Sequence, residues 1–580
     1  MRRRSQHCRT SEDARACIEQ TRLGLALPYT GTRLGATGPV RRLPSLTSDV
    51  QAVELVFLLL LLFVVAFGAL ARKLQVPYPI VLVIAGGLLG FVPGIPRIAL
   101  NPDVIFFVIL PPLLYSAAWV TSWREFSYNL VSILFLAFGL VTFTVIGVAQ
   151  GAPWLFSGYD WKLGLVLGAV IAPTDALAAT SIANRVGISK RVTDLLEGES
   201  LVNDATGLLA LEFGVAMVLG HETPTLAAGT LRLAYLTFAG LAVGLITAWI
   251  VDWIERHIDD GPIEIAISIL VPYAAYFTAD GLHASGVLAV VVCGLYLSRR
   301  SSGFFSPGVR LQAWAVWDAL TFILNGLVFV LIGLQLPYVL AGIQEYSRGT
   351  LFLYGALFSG LVIALRLIWM FPGAYLAHWI RTRFLHQTVT MPSARGVVVV
   401  GWTGMRGVIA LAAAIALPQT LADGSPFPHR NLIIFLAFCV ILVTLVLQGL
   451  TLPWLVRILG VTDPPGPNIE EETARREILQ AALAYLEESR QKDDAEFDAM
   501  YEDLTGHYRQ RLTALTGNED AENGVSPEQH KRLLRISREL LRLERKTAVR
   551  LRNEGRINDE TLRQLEKELD LREAGPSHAA

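Results

Sequence analysis

The chain has 580 residues, 53% of hydrophobic types and only 17% charged, against an ordinary globular balance of about 45–50% and 25%, which argues against a soluble enzyme. Lys and Arg number 49 and Asp and Glu 50, for a net charge of -1, so no basic excess exists to neutralise phosphates and no nucleic acid partner is expected. The 4 cysteines, Cys8, Cys17, Cys293 and Cys439, lie far apart and suggest neither a disulfide framework nor a zinc site, which leaves carboxylates, amides and hydroxyls to carry any chemistry.

Residues 1–50 form an arginine-rich arm, with Arg2, Arg3, Arg4, Arg9, Arg15, Arg22, Arg33, Arg41 and Arg42, and are expected to be disordered. From 51 to 460 the chain is a succession of apolar runs of the length that crosses a bilayer core as helix. They fall near 53–71, 78–95, 103–120, 128–149, 162–184, 195–219, 231–251, 262–280, 283–298, 315–336, 351–378, 396–418 and 431–458. The expectation is an all-α polytopic membrane protein with about 13 transmembrane helices.

Lys and Arg in the connecting loops set the orientation. With the loop after the first span inside, the inner set runs from Arg72 and Lys73 through Arg124, Arg185, Lys190, Arg191, Arg256, Arg299, Arg300, Arg310, Arg381 and Arg383 to Arg395. The outer set is Arg97, Lys162, Arg232, Arg348 and Arg430, a bias of more than two to one. This places the tail 461–580 in the cytoplasm and the N-terminus outside, which conflicts with the arginine-rich arm. Either the arm stays inside and the first helix does not span, or the start is assigned upstream of a true start near Val50; the loop bias favours the second. A signal peptide is not supported, because no apolar stretch precedes Val53.

Polar residues within such spans are expensive and count as functional candidates. The fifth span reads IAPTDALAATSIANRVG and puts Pro173, Thr174 and Asp175 near its middle, where Pro173 removes a backbone donor and frees a carbonyl. The sixth reads LLEGESLVNDATGLLALEFG. On a helix Glu199 and Asn203 share one face and Ser200 and Asp204 a neighbouring one. A carboxylate such as Asp204 or Asp175, flanked by oxygens of Thr174, Ser200 and Asn203, makes a hard oxygen site suited to a small dehydrated cation, and the same carboxylate can take a proton instead. That competition is the minimum needed to exchange one for the other across a membrane, and it predicts a pH optimum. Thr174, Ser200 and Thr206 taken singly serve equally well as groups that bond helices together; the clustering of Asp175, Glu199, Asn203 and Asp204 carries the functional reading.

Other polar positions are weaker. Glu54 and Asp103 lie at span ends. Glu212, eight positions after Asp204, either lines the passage or pairs with a loop arginine, the second being preferred. Glu264, Asp280 and His283 sit near the ends of the eighth and ninth spans and either line a funnel or lie in solvated loops, the second being preferred, and Asn325 reads as a packing amide. After Gly460 the stretch TDPPGPN stops the last span. EETARREILQAALAYLEESRQ and HKRLLRISRELLRLERKTAVRLRNEGRI then read as helices, separated near Gly517 to Pro527. Leu533, Ile536, Leu540 and Leu543 form an apolar stripe, either of a regulatory or dimer-stabilising hairpin or of a solvated helix pair.

The fifth and sixth spans, together with WTGMRGVIALAAAIALP near the end, VIFFVILPPLLYSAAW in the third span, DALTFILNGLVFVLIGLQL in the tenth and ALRLIWMFP in the eleventh, resemble the bacterial sodium/proton antiporters of the cation:proton antiporter-1 family. The resemblance covers about Leu55 to Leu459. It implies inverted repeats, a mobile core domain with two crossed, broken helices, a dimerisation domain, a homodimer in the inner (plasma) membrane and a helical cytoplasmic tail. It also implies that Asp204 is the carboxylate binding cation and proton, with Asp175, Thr174, Ser200 and Asn203 completing the site. Asn203 stands where electrogenic relatives have a second aspartate, which implies electroneutral exchange. Glu199 is implied to pair with Arg366, and Arg406 to hold the core. Both arginines more readily neutralise carboxylates or cap helix ends than touch the ion. No cofactor is implied; the ligands are the transported Na+, with Li+ or K+ as alternatives, and H+. Two departures stand out: Ala176 replaces a proline common after the aspartate of the fifth span, and Asp318 replaces a glutamate.

The competing reading is an intramembrane aspartyl protease with Asp175 and Asp204 as a dyad. Neither aspartate lies in the YD or GxGD segments by which such proteases resemble one another, and no P-loop supports an ATP-driven pump.

Overall fold

The computed structural model describes residues 46–93, 100–220, 226–301, 304–344, 346–421, 423–461, 469–492 and 498–516, with scattered positions from 535 to 571. Its secondary structure among these residues is helical, apart from an isolated bridge between Thr420 and Pro426. Residues 1–45 of the arginine-rich arm, the side chain of Glu54, the separator 517–527 and Leu533, Ile536 and Leu540 of the tail stripe lie outside the described residues, while 46–50, expected to be disordered, open the first helix.

Helices follow the apolar runs in order: α1 Leu46–Leu74, α2 Tyr78–Gly90, α3 Pro102–Val120, α4 Trp123–Leu155, α5 Trp161–Ile171, α6 Ala176–Val186 and α7 Lys190–Val218. Next come α8 Leu226–Glu255, α9 Gly261–Gly281, α10 Gly286–Arg300, α11 Pro307–Leu334, α12 Leu336–Ala341 and α13 Arg348–Arg383. The last are α14 Ala394–Trp402, α15 Val408–Ile415, α16 Arg430–Leu459, α17 Ile469–Lys492 and α18 Asp498–Thr516. Among the described residues nine helices are long and apolar enough to cross a membrane. The fifth and twelfth apolar runs do not appear among the nine because each is cut in two, α5 from α6 at 172–175 and α14 from α15 at 403–407. In α3 a wide π-helical turn at Ile105–Ile109 directly precedes Pro111 and Pro112, which lack the N–H groups that would continue regular bonding.

Two compact units make up the chain. The first comprises residues 1–178, 198–369 and 404–449. Within it α2 lies against α11 closely enough that a Cβ on Gly86 would sit 2.6 Å from the carbonyl oxygen of Val330, the small-residue approach by which helices associate where no hydrophobic drive separates them from lipid. α5 and α15 bury most of their residues. By contrast, Leu58 and Leu62 of α1 and Phe238, Trp249 and Trp253 of α8 are exposed, an apolar surface suited to lipid contact.

The second unit comprises residues 179–197, 370–403 and 450–580. In it α17 packs on α18, with Arg490 Nε 2.8 Å from Asp498 Oδ1 across their junction. Helix α18 was not anticipated, although Tyr501, Leu504, Tyr508 and Leu512 recur at helical spacing. Leu543, the described member of the tail stripe, is exposed.

Candidate functional site

Both breaks have local causes and meet each other. Pro173 cannot donate a backbone hydrogen bond, so α5 stops at Ile171. Two residues on, the N–H of Asp175 bonds the carbonyl oxygen of Met405 at 2.8 Å, which joins the first break to the second. The glycines of the second break are required by proximity rather than by backbone angle. A Cβ on Gly407 would lie 2.6 Å from Asp175 Oδ2, and one on Gly404 would collide with the side chain of Arg366.

Helix α7 supplies the groups that hold the first break open. Ser200 Oγ donates to the carbonyl of Thr174 at 2.8 Å and accepts from the N–H of Ala176 at 3.3 Å, satisfying a stranded carbonyl and the first amide of α6. Thr174 Oγ1 donates to Glu199 Oε1 at 3.1 Å and accepts from Asn203 Nδ2. Glu199 in turn receives both arms of Arg366, Nη1 to Oε1 at 2.5 Å and Nη2 to Oε2 at 2.9 Å, a bidentate pair between side chains that are 1% and 2% exposed. Thr174 and Ser200 thus spend their hydroxyls on the backbone and on Glu199. Asp204 is buried, at 2% exposure, and its Oδ1 has no hydrogen-bond partner among the described residues; Asn203 Oδ1 is likewise without one. Asp204 lies within electrostatic range of Asp175 and Glu199. Arg406, also buried, donates its backbone N–H to Thr444 Oγ1 at 3.1 Å, and its Nε and Nη1 find no hydrogen-bond partner among the described residues.

Two chain breaks thus meet at Asp175, within electrostatic range of the buried Asp204, and residues 58–458 match the family described as sodium/hydrogen exchanger, transmembrane. The chain belongs to the sodium/hydrogen exchanger family. It is 34% identical over 515 residues to an uncharacterized Na(+)/H(+) exchanger of Mycobacterium tuberculosis, covering 88% of this chain and 94% of the relative. An uncharacterized Na(+)/H(+) exchanger of Escherichia coli is 30% identical over 549 residues, covering 90% and 99%. A sodium proton antiporter of Methanocaldococcus jannaschii shares the fold, with a TM-score of 0.55 at 20% identity over 71% of this chain and 99% of that one. The resemblance to the bacterial cation:proton antiporter-1 family is upheld. The family consists of secondary transporters, so this exchanger is not an enzyme, and nothing in these likenesses supports the protease reading.

Two polar residues of the exchanger's core were missed in the sequence. Thr444, in the wide turn Thr444–Gln448 of α16, accepts the Arg406 N–H while donating to the carbonyl of Val440 at 2.8 Å. Tyr78, the first residue of α2, lies within electrostatic range of Asp175. Each is a lone polar group in an otherwise apolar run, the signal that would have found it.

Other positions divide. Glu212 pairs with Arg232 at 3.3 Å, both partly exposed; the arginine stands on α8 rather than in a loop. Asp280 and His283 are exposed and Asn325 is buried. Glu264 corrects the expectation of a solvated loop: it is 2% exposed and lies in the first turn of α9, whose N-cap Asp260 accepts the N–H of Ile263.

Gly407→Ala is expected to leave the exchanger in the membrane but lower its exchange at least about tenfold, since the added methyl must displace the Asp175 carboxylate and part the two breaks. Proton flux in everted vesicles, set against the amount of inserted protein, measures this; unchanged flux would show that the breaks tolerate separation.

Proposed function

We propose that the chain exchanges protons for monovalent cations, Na+ foremost with Li+ or K+ as alternatives, one for one and without net charge movement. On this reading it acts as a homodimer in the inner (plasma) membrane, in pH and sodium homeostasis. Residues 51–460 form the transport domain, 461–580 a cytoplasmic helical tail, and 1–50 an arm whose presence in the mature protein is open to N-terminal sequencing.

The observation that carries the reading is Asp204, buried with an oxygen that has no hydrogen-bond partner among the described residues, next in the chain to Asn203, whose amide oxygen is likewise without one. A bare carboxylate in a water-poor interior is costly. It is neutralised by a proton or by a cation, and the two exclude each other. Each passage across the membrane therefore carries one or the other, and that exclusivity is the coupling. Asp204, Asn203 and Asp175 are the proposed ligands, with the carbonyls of the broken segment available nearby. Thr174 and Ser200 are proposed to shape the site, Glu199 and Arg366 to brace it, and Arg406 to hold the second break. At low pH protons saturate the site on both faces, and at high pH too few are available to displace the cation, so flux peaks between.

A panel of Na+, Li+, K+ and choline in proteoliposomes across pH tests the reading, and proton movement no greater with any alkali cation than with choline would end it. Charge balance is tested separately. With Asn203 neutral, collapsing the membrane potential leaves the exchange rate unchanged, while Asn203→Asp makes the rate respond to potential through the added negative charge. A wild-type rate that follows the potential would refute one-for-one exchange.

A further inference from the structure

Away from the transport site, a second group of buried polar side chains closes on itself where α8 ends and α9 begins. Glu255, the last residue of α8, and Glu264 are each 2% exposed and lie within electrostatic range of one another. Glu264 stands in the first turn of α9, and one turn further along the same face Ser268 Oγ accepts the indole N–H of Trp317 at 3.1 Å. The Trp317 ring packs against Tyr115 of α3 with centroids 5.3 Å apart, and Tyr115, 1% exposed, returns the circuit to Glu255 through electrostatic range.

Three oxygens in this enclosure have no hydrogen-bond partner among the described residues: Glu255 Oε2, Glu264 Oε2 and Tyr115 Oη. Among the described residues no ion pair to Glu255 or Glu264 forms: Arg256 holds Asp252 at 3.2 Å, and Arg310 donates Nη2 to the carbonyl of Phe305 at 3.1 Å while its buried Nε is without a partner among the described residues. Two buried carboxylates and a buried phenol, with no cationic side chain paired to them among the described residues, offer the hard oxygens that a small cation takes. Nothing in the transport cycle derived above uses them.

We propose that Glu255, Glu264 and Tyr115 form a second site, for a small oxygen-seeking cation, at the junction of α8 and α9. The charge of the two carboxylates matches one divalent cation, or one alkali cation together with a proton. Occupancy ties the ends of α8 and α9 to α3 and stiffens that corner of the first unit.

The test uses the full-length Asp204→Asn exchanger in detergent, in which the transport carboxylate is gone, and follows its melting temperature during titration with NaCl, CaCl2 or MgCl2 against choline chloride at matched ionic strength. A saturable rise of a few degrees with at least one cation, absent with choline, is expected. Response to Na+ assigns the site to the transported ion, and response to Ca2+ or Mg2+ alone assigns it to a divalent effector. Adding Glu264→Gln or Glu255→Gln removes the rise while elution stays monodisperse. Tyr115→Phe, which deletes one hydroxyl and keeps the ring, weakens the apparent affinity about tenfold. No cation-specific rise, or a rise that persists in both Gln variants, overturns the proposal. Because the transport carboxylate is absent throughout, either result is independent of whether Asp204 carries the exchange.

Discussion

The Asp204→Asn exchanger is expected to lose cation-dependent proton movement by more than about 100-fold while inserting and folding normally. The amide has the shape of the carboxylate but can neither take up a proton nor neutralise a cation, so both half-reactions fail together. Loss of one charge-assisted contact costs up to about 3 kcal/mol, and each 1.4 kcal/mol is tenfold, so binding alone accounts for two orders of magnitude before coupling is considered. Folding is expected to survive because Asp204 Oδ1 has no hydrogen bond to lose among the described residues, and a buried carboxylate without a partner is costly to keep charged. Asp175→Asn should also be severe, since that carboxylate lies against Gly407 at the crossing, but its backbone N–H still reaches Met405 and the two breaks remain joined. Proton flux and melting temperature, measured on the same preparations, separate transport loss from unfolding. Exchange retained by Asp204→Asn and lost by Asp175→Asn would move the proton to Asp175 and refute the present assignment.

Much of the membrane architecture was legible because spans are long and nearly uncharged, and a bilayer leaves few ways to satisfy their backbones. The first break could be located from Pro173 and the polar stripes of α7 from their four-residue spacing. The second break could not be reasoned out from its residues alone. Gly404 and Gly407 are needed only because Arg366 and Asp175 come to lie against them, contacts set by the fold between distant parts of the chain. The same holds for Arg366 and Glu199, 167 residues apart, whose pairing was reached through family resemblance and not from spacing. Glu264 was misread because an acid at a span end normally meets water, whereas in the fold it is 2% exposed, and which groups surround it is set by tertiary packing rather than by its place in the run. Sequence arithmetic finds which residues are costly, and the fold decides which of those costs are already met.

Arg366 offers the sharpest stability experiment. Arg366→Met is expected to cost about 3–5 kcal/mol, seen as a fall of about 5–10 °C in melting temperature, because it strands the Glu199 carboxylate at 1% exposure without its bidentate partner. A buried ion pair is not stabilising in itself: desolvation offsets most of the attraction, and replacing both members by uncharged groups of similar size is often neutral. The double variant Glu199→Gln/Arg366→Met should therefore recover most of the loss, and Gln at 199 keeps an amide oxygen to accept the Thr174 hydroxyl. The cycle distinguishes two roles for the arginine. If it neutralises Glu199, the double variant melts well above Arg366→Met. If it acts by filling the space beside Gly404, where its side chain leaves no room for a Cβ, single and double variants melt alike, and the charge assignment fails while the packing assignment stands.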